Sequence, residues 1–331
     1  MEKIRAIAVQ WGLEPKYIKE IKSNVWEIDT SEGSYALKAS TLKAEKLQFI
    51  AAAQRHLDYC GFQNFARPIM YCGQPYLAKD GFLYTLYDWI AGEKCDFDDI
   101  RHLSLASEAL GRFHLYACNE NLLVRNQAKI AYYLWPEKLA KRTADLERFQ
   151  SLAAAEHSDF FSKMYLGFCA PLLEKAYLSR RLLLSSSYPR LAAEDHSVGA
   201  FIHYDVAARN FMILDNAAYL IDFDYCALDM PIVDLMRLIK RSLKYGGNCE
   251  AKIDAIVDNY TSVRPLTEEQ WEVLYALLLF PQKYWRLAVR YYDCETDWSS
   301  ETFDKKIRAV VRELENEDNW LPILRQKVGL E

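Results

Sequence analysis

The stretch FIHYDVAARNFMILDNAAYLIDFDY, Phe201 to Tyr225, decides how the rest of the chain is read. Two apolar, β-prone runs, Phe211 to Leu214 and Ala218 to Phe223, flank Asp215-Asn216. That pair tolerates left-handed backbone, so the pattern predicts a hairpin. His203-x-Asp205 lies just before the first run, Asn210 follows the aspartate, and Asp222 lies at the end of the second. Phosphoryl transfer calls for such a set: one carboxylate to orient the attacking hydroxyl, and an amide oxygen with a second carboxylate for the metal that bridges the nucleotide phosphates. Asp205 is then the candidate base, and Asn210 and Asp222 are the candidate metal ligands. The competing reading is a hairpin that merely happens to be flanked by polar residues. The second aspartate, in register with the hairpin, weighs against it.

Composition limits the alternatives. The chain has 331 residues, 51% hydrophobic and 26% charged, as in an ordinary globular protein with room for two lobes. A net charge of −5 and a pI near 5.8 argue against a nucleic-acid binder and favour small substrates. No secretory signal is visible at the N-terminus, and no uncharged apolar run reaches bilayer length, so neither export nor a membrane partner is expected. Eight cysteines without a C-x-x-C pair oppose a zinc site and fit free thiols in a reducing, cytoplasmic setting.

From the N-terminus, residues 1–13 read as a short amphipathic helix. Three β-like runs come next: Tyr17 to Ile21, Val25 to Asp29 and Ser34 to Ala39. Lys38 closes the third in the sequence Tyr-Ala-Leu-Lys, where a lysine can reach nucleotide phosphates; on its own it reads rather as a solvated strand lysine, and the downstream motif reverses that reading. Leu42 to Tyr59 has helical rhythm, and Glu45 on its first turns is the candidate partner of Lys38, with Gln48 one turn on as its competitor. Further strands are expected at Arg67 to Met70, Pro75 to Ala78 and Gly81 to Trp89. The last empties into Ala91-Gly92, as a hinge between lobes would. Backbone groups of Asp88, Trp89 and Ile90 are the candidates to meet an adenine edge. The division expected is 1–91 for a nucleotide-binding lobe and 92–331 for a catalytic and acceptor-binding lobe, mainly helical apart from the hairpin. No internal repeat or low-complexity linker separates the two.

Within the second part, Leu103 to Tyr116 reads as a helix whose His114 is a satisfied, semi-buried histidine. Asn119 to Ser197 reads as helical and Ile232 to Leu243 as a helix. Asp234 is placed to cap its own helix, and Arg237, Lys240 and Arg241 form a basic cluster. Thr267 to Gln270 resembles a capping box. The aromatic run Phe280 to Arg286 reads as core, part of which can line an acceptor pocket. Asp293, Glu295 and Asp297 would suit a cationic acceptor, although solvated surface charge explains them equally.

The spacing His203-x-Asp205-x4-Asn210 followed by Ile221-Asp222-Phe223 resembles the aminoglycoside phosphotransferase and choline kinase superfamily, small-molecule relatives of protein kinases. Asn24-Val25-Trp26, Tyr35 to Lys38, Asp88 to Gly92, Ile221 to Asp224, Asp229 to Asp234 and Phe280 to Trp285 resemble, more narrowly, the spore-coat CotS family. The resemblance implies an α+β, bilobal protein-kinase-like fold with a small antiparallel sheet in its N-terminal lobe. It also implies ATP and Mg2+ as cofactors, a small hydroxylated molecule or glycan as acceptor, and a place among spore coat proteins. Lys38, Asp205, Asn210 and Asp222 match its motif positions. There are departures. Lys22-Ser23-Asn24 stands where protein kinases carry a glycine-rich phosphate loop, leaving Ser23 and Asn24 as the candidate phosphate-contacting positions of a short turn. Asp224 replaces the glycine after Asp222-Phe223. No Ala-Pro-Glu segment is present, which argues against a protein substrate. The alternative function is a spore coat structural or assembly protein that keeps the fold as a scaffold.

Overall fold

The computed structural model describes residues 1–124, 130–155 and 159–330. The expected helical stretch Asn119 to Ser197 therefore includes positions 125–129 and 156–158 that lie outside the described residues.

The chain opens with helix α1 (Glu2–Gln10) and strands β1 (Tyr17–Lys22), β2 (Val25–Asp29) and β3 (Ser34–Ser40). Helix α2 (Ala44–Tyr59) and strands β4 (Pro68–Ile69), β5 (Leu77–Lys79) and β6 (Phe82–Asp88) come after them. The strands form one antiparallel sheet in the order β1-β2-β3-β6-β4, with β5 also on β6. The two helices serve different cores. Ile4, Ile7 and Ala8 of α1 pack on Ile18, Ile28, Leu37, Leu77, Tyr84 and Leu86 of the sheet. Phe49, Ile50, Ala53 and Leu57 of α2, one face at helical spacing, join the large core of the helical part instead. The α2 helix thus ties the sheet lobe to the helical lobe.

After β6 the chain passes through Gly92 to β7 (Glu93–Lys94), then α3 (Ile100–Tyr116), α4 (Asn121–Val124), α5 (Trp135–Ala155), α6 (Phe160–Ser185) and α7 (Tyr188–Ser197). Strands β8 (Phe201–Ile202), β9 (Phe211–Leu214), β10 (Ala217–Leu220) and β11 (Ala227–Leu228) carry the chain to helices α8 (Ile232–Ser242), α9 (Cys249–Val263), α10 (Glu268–Leu279), α11 (Gln282–Tyr292) and α12 (Ser300–Lys327). Local chemistry sets several of these ends. The Asp99 carboxylate accepts the Arg101 and His102 amides at the start of α3, and Thr267 with Gln270 closes the expected capping box on α10. Such caps contribute about 1 kcal/mol each. No helix among the described residues is long and apolar enough to cross a membrane. All eight cysteines are free thiols.

The β9–β10 hairpin forms where expected, with Leu214 opposite Ala217 and left-handed backbone at Asp215 (φ 48°) and Asn216 (φ 63°). Its second strand is shorter than the apolar run to Phe223. Asp222 takes a left-handed φ of 65°, which breaks the strand, and Phe223–Tyr225 curl into a 3₁₀ turn. Strand β7 pairs with β9, so the connection between the lobes is bonded to the hairpin itself. That close approach requires a glycine: a Cβ on Gly92 would sit 2.4 Å from the Ile213 carbonyl oxygen.

Candidate active site

The loop from His203 to Asn210 is held from several directions. Its entry strand, β8, pairs with β11, which comes after the Asp222 turn, so the two ends of the site share one small sheet. Inside the loop, Tyr204 takes a left-handed φ of 69°. The buried carboxylate of Asp234 accepts the His203 amide at 2.7 Å and the Tyr204 amide at 2.9 Å. Asp234 was expected to cap its own helix, but α8 has no side-chain cap. The residue serves the strained turn across from it, whose amides have no helical partner. His114 packs behind, satisfied as expected but fully rather than half buried, with Nδ1 2.8 Å from the Tyr260 hydroxyl and Nε2 3.4 Å from Asp234. Burial lowers the pKa of His114 against the pull of Asp234.

His203 is buried, and its Nε2–H donates to the Ile221 carbonyl at 3.0 Å, binding the loop to the residue before Asp222. Burial lowers its pKa against the pull of Asp234, and its Nδ1 is left without a hydrogen-bond partner.

Asp205 is a held carboxylate. Arg241 of α8 donates to Oδ1 at 2.8 Å, and Arg209 and the Asn210 amide each donate to Oδ2 at 2.8 Å. Desolvation pushes the acid upward, but Arg241, followed by Asn210 and Arg209, outweighs it and keeps the carboxyl below the ordinary range. The Asn210 amide nitrogen also donates to the Asp205 carbonyl. Its hydrogens are thus committed to Asp205, and its oxygen is the end able to ligate a cation.

Lys38 on β3 meets the hairpin end directly. Its Nζ lies 2.8 Å from Asp222 Oδ1 and 2.6 Å from Asp224 Oδ2. Desolvation opposes the ammonium, but the charges of Asp224 and Asp222 outweigh it and raise its pKa. Asp222 is lowered in turn: desolvation is exceeded by Lys38, with a smaller share from Lys22. The expected Glu45–Lys38 pair is therefore corrected. The lysine is taken up by two hairpin carboxylates that meet it across the lobes, and Gln48, the competitor, faces Gln74 instead. Asp224, noted in the sequence only as a departure, is the second partner.

The other candidates lie around this pair. Ser23 and Asn24 are in the β1–β2 turn, where Asn24 Nδ2 donates to the Ala39 carbonyl and its own carbonyl accepts the Ala39 amide, fixing the strand beside Lys38. Asp88 ends β6. Its amide is spent on the Arg67 carbonyl and that of Trp89 on Ser34, so neither is open to an adenine edge. Among the backbone bonds of the described residues outside helices and strands, the Ile90 amide makes none.

The residues present fit the expected cation. An amide oxygen and carboxylates are hard oxygen donors, and the Ile221 amide bonded to the Asn210 carbonyl at 3.0 Å holds Asn210 and Asp222 together. No group of three or more His, Cys, Asp or Glu side chains forms a metal cage among the described residues. A cation here would complete its shell with water and phosphate, as magnesium does.

Aromatic residues near the C-terminus mix core and surface. Phe280 and Tyr284 are buried, whereas Trp285 donates to Asp145 at 2.9 Å. Asp293, one of the acidic residues that would suit a cationic acceptor, is held by both guanidinium nitrogens of Arg148 at 2.8 and 2.9 Å.

A small antiparallel sheet joined to a helical lobe, with a lysine from the sheet meeting an aspartate after a hairpin, defines a kinase-like fold of the small-molecule phosphotransferase type. The chain belongs to the phosphotransferase enzyme family known as APH, whose sequence model matches residues 17–266. It is 26% identical over 322 residues to spore coat protein S of Bacillus subtilis (strain 168), covering 93% of this chain and 91% of that protein. Among solved structures it resembles an aminoglycoside phosphotransferase from Alicyclobacillus acidocaldarius, with a TM-score of 0.84 at 22% identity over 98% of this chain and 96% of that one. A spectinomycin phosphotransferase in complex with ADP and spectinomycin gives a TM-score of 0.64 at 14% identity, over 96% and 98% of the two chains.

Proposed function

We propose that the protein transfers the γ-phosphoryl group of ATP to a hydroxyl of a small molecule or glycan, with magnesium, in the setting of spore coat formation. The observation that carries this reading is the meeting of Lys38 with Asp222 across the lobes, beside Asp205 and Asn210. Family membership and the kinase-like neighbours support it; the coat setting rests on the spore coat relative. Lys38 is the residue for the nucleotide phosphates, while Asn210 and Asp222 are the metal ligands. Bound magnesium would supply charge neutralisation at the phosphates. Asp205 orients the acceptor hydroxyl and takes its proton. Arg241 and Asn210 fix the direction of that carboxylate, and Asp234 fixes the loop that bears it. Most of the acceleration would come from this positioning and from electrostatics. The acceptor site belongs to the helical lobe, and incorporation into the coat would come after synthesis in a reducing compartment.

The second reading, a coat scaffold that keeps the fold, is favoured by the name of the relative alone. Transfer of labelled γ-phosphoryl from ATP to pooled hydroxyl compounds separates the two. Catalysis predicts labelled product that falls about 10²–10⁴-fold in Asp205→Asn. Label transfer equal in both proteins would remove Asp205 from the chemistry.

A further inference from the structure

Next to Asp205 the helical lobe presents cations lying on aromatic rings. Arg237 is one turn before Arg241 on α8, and its guanidinium lies 3.9 Å from the ring centre of Tyr204, the residue preceding Asp205. On α5, Arg142 lies 4.6 Å over Trp285 and 5.8 Å over Trp135, and Lys138 lies 4.8 Å over Trp135. Arg286 of α11 approaches the same Trp285 at 5.1 Å. These groups feel one another. Burial, and then the charges of Arg286 and Arg237, pull Arg142 down to about 10, while Tyr204 and Asp145 act the other way.

Two carboxylates, Asp145 and Asp229, lie among these groups: Asp145 is engaged elsewhere, and Asp229, whose Oδ2 is buried without a hydrogen-bond partner, offsets part of the charge of Lys138 and Arg237. Asp145 accepts the Trp285 indole and is 3.7 Å from Arg148, and Asp229 accepts the Met230 amide. Arg237 Nε and Arg241 Nη1 are buried and have no hydrogen-bond partner. Like charges gathered at a site, with buried donors left unpaired, cost free energy in the empty protein, and an anionic ligand would recover it. Planar guanidinium groups held on rings are pre-set for the two oxygens of a carboxylate or phosphate.

Taking the phosphotransferase reading as given, we propose that the acceptor is an anion: a hydroxyl compound bearing a carboxylate or phosphate, such as a sugar acid or sugar phosphate, whose charged end is held by Arg142 and Arg237 while its hydroxyl meets Asp205. This reverses the cationic acceptor suggested by Asp293, Glu295 and Asp297.

The test is calorimetric binding of four related probes to the full chain with magnesium and a non-transferable ATP analogue: gluconate, glucose 6-phosphate, neutral glucitol and cationic glucosamine. At least one anion should bind about tenfold or more tighter than glucitol, with glucosamine weakest, and the stronger anion tells carboxylate from phosphate. Arg142→Gln and Arg237→Gln should each weaken that anion by about tenfold to a hundredfold, leave glucitol unchanged and keep nucleotide affinity, which also reports that the variants fold. Preference for glucitol or glucosamine, loss of all probes alike in the variants, or bound nucleotide with no anion bound would overturn the anionic acceptor and leave the phosphotransferase standing. Absence of nucleotide binding in the folded wild type would remove both.

Discussion

The Asp234 carboxylate accepts the backbone amide of His203 at 2.7 Å and so anchors the loop that carries Asp205 from a helix 31 residues further along the chain. Asp234→Ala strands that amide and the one on Tyr204. A buried donor left unpaired costs about 1–3 kcal/mol, so a loss of about 3–5 kcal/mol is expected once the charged acceptor is counted. Asp234→Asn, which keeps one acceptor oxygen, should lose less. Urea unfolding of the three proteins measures this, and a loss under about 1 kcal/mol for the alanine variant would show that the loop stands without the anchor.

Asp229 gives a pH signature. Burial raises its pKa to about 6. A folded-state value above the unfolded one means that the contribution to stability is fully present below about pH 4 and is lost as the pH rises through about 6. Asp229→Asn keeps an acceptor for the Met230 amide and cannot ionise. The variant should therefore gain on wild type between about pH 4 and pH 7, by on the order of 3 kcal/mol. Stability curves across that range check it; a constant difference at every pH would mean that Asp229 does not titrate between those limits.

These two aspartates also mark how far the sequence could be read. The hairpin and its Asp215-Asn216 turn are local patterns and are found as expected, and the short spacing of Asp205 and Asn210 lets their side chains meet. The partner of Lys38 is not local. A sequence offers the nearest helix carboxylate, Glu45, whereas the fold brings Asp222 and Asp224 from 184 and 186 residues away. Arg237 and Arg241 were visible as a basic cluster, but which side of α8 meets Asp205 depends on how the helix packs its apolar face. Asp234 looked like a cap because it sits at a helix start, and it is a cap, for another segment's amides. The spent amides of Asp88 and Trp89 could not be foreseen without knowing the strand neighbours.

Gly92 is where the link between the lobes touches the hairpin. In Gly92→Ala the new Cβ would meet the Ile213 carbonyl oxygen at 2.4 Å and carbon at 2.9 Å, both backbone atoms that yield little. Forcing them apart should cost about 1–3 kcal/mol. It should also lower turnover by displacing β7 from β9. Thermal melting and label transfer on the variant read both effects; unchanged values in each would mean that the link relaxes without disturbing the site.

The central claim is that Asp222, now paired with Lys38 at 2.8 Å, belongs to a working nucleotide site. Calorimetric titration of ATP into wild type and Asp222→Asn, with and without magnesium, tests it most directly. Wild type should show magnesium-dependent binding that the variant loses by about tenfold to a hundredfold, the range for a charge-assisted contact. A well-folded wild type that binds no ATP, or a variant that binds it equally well with magnesium, would contradict the claim.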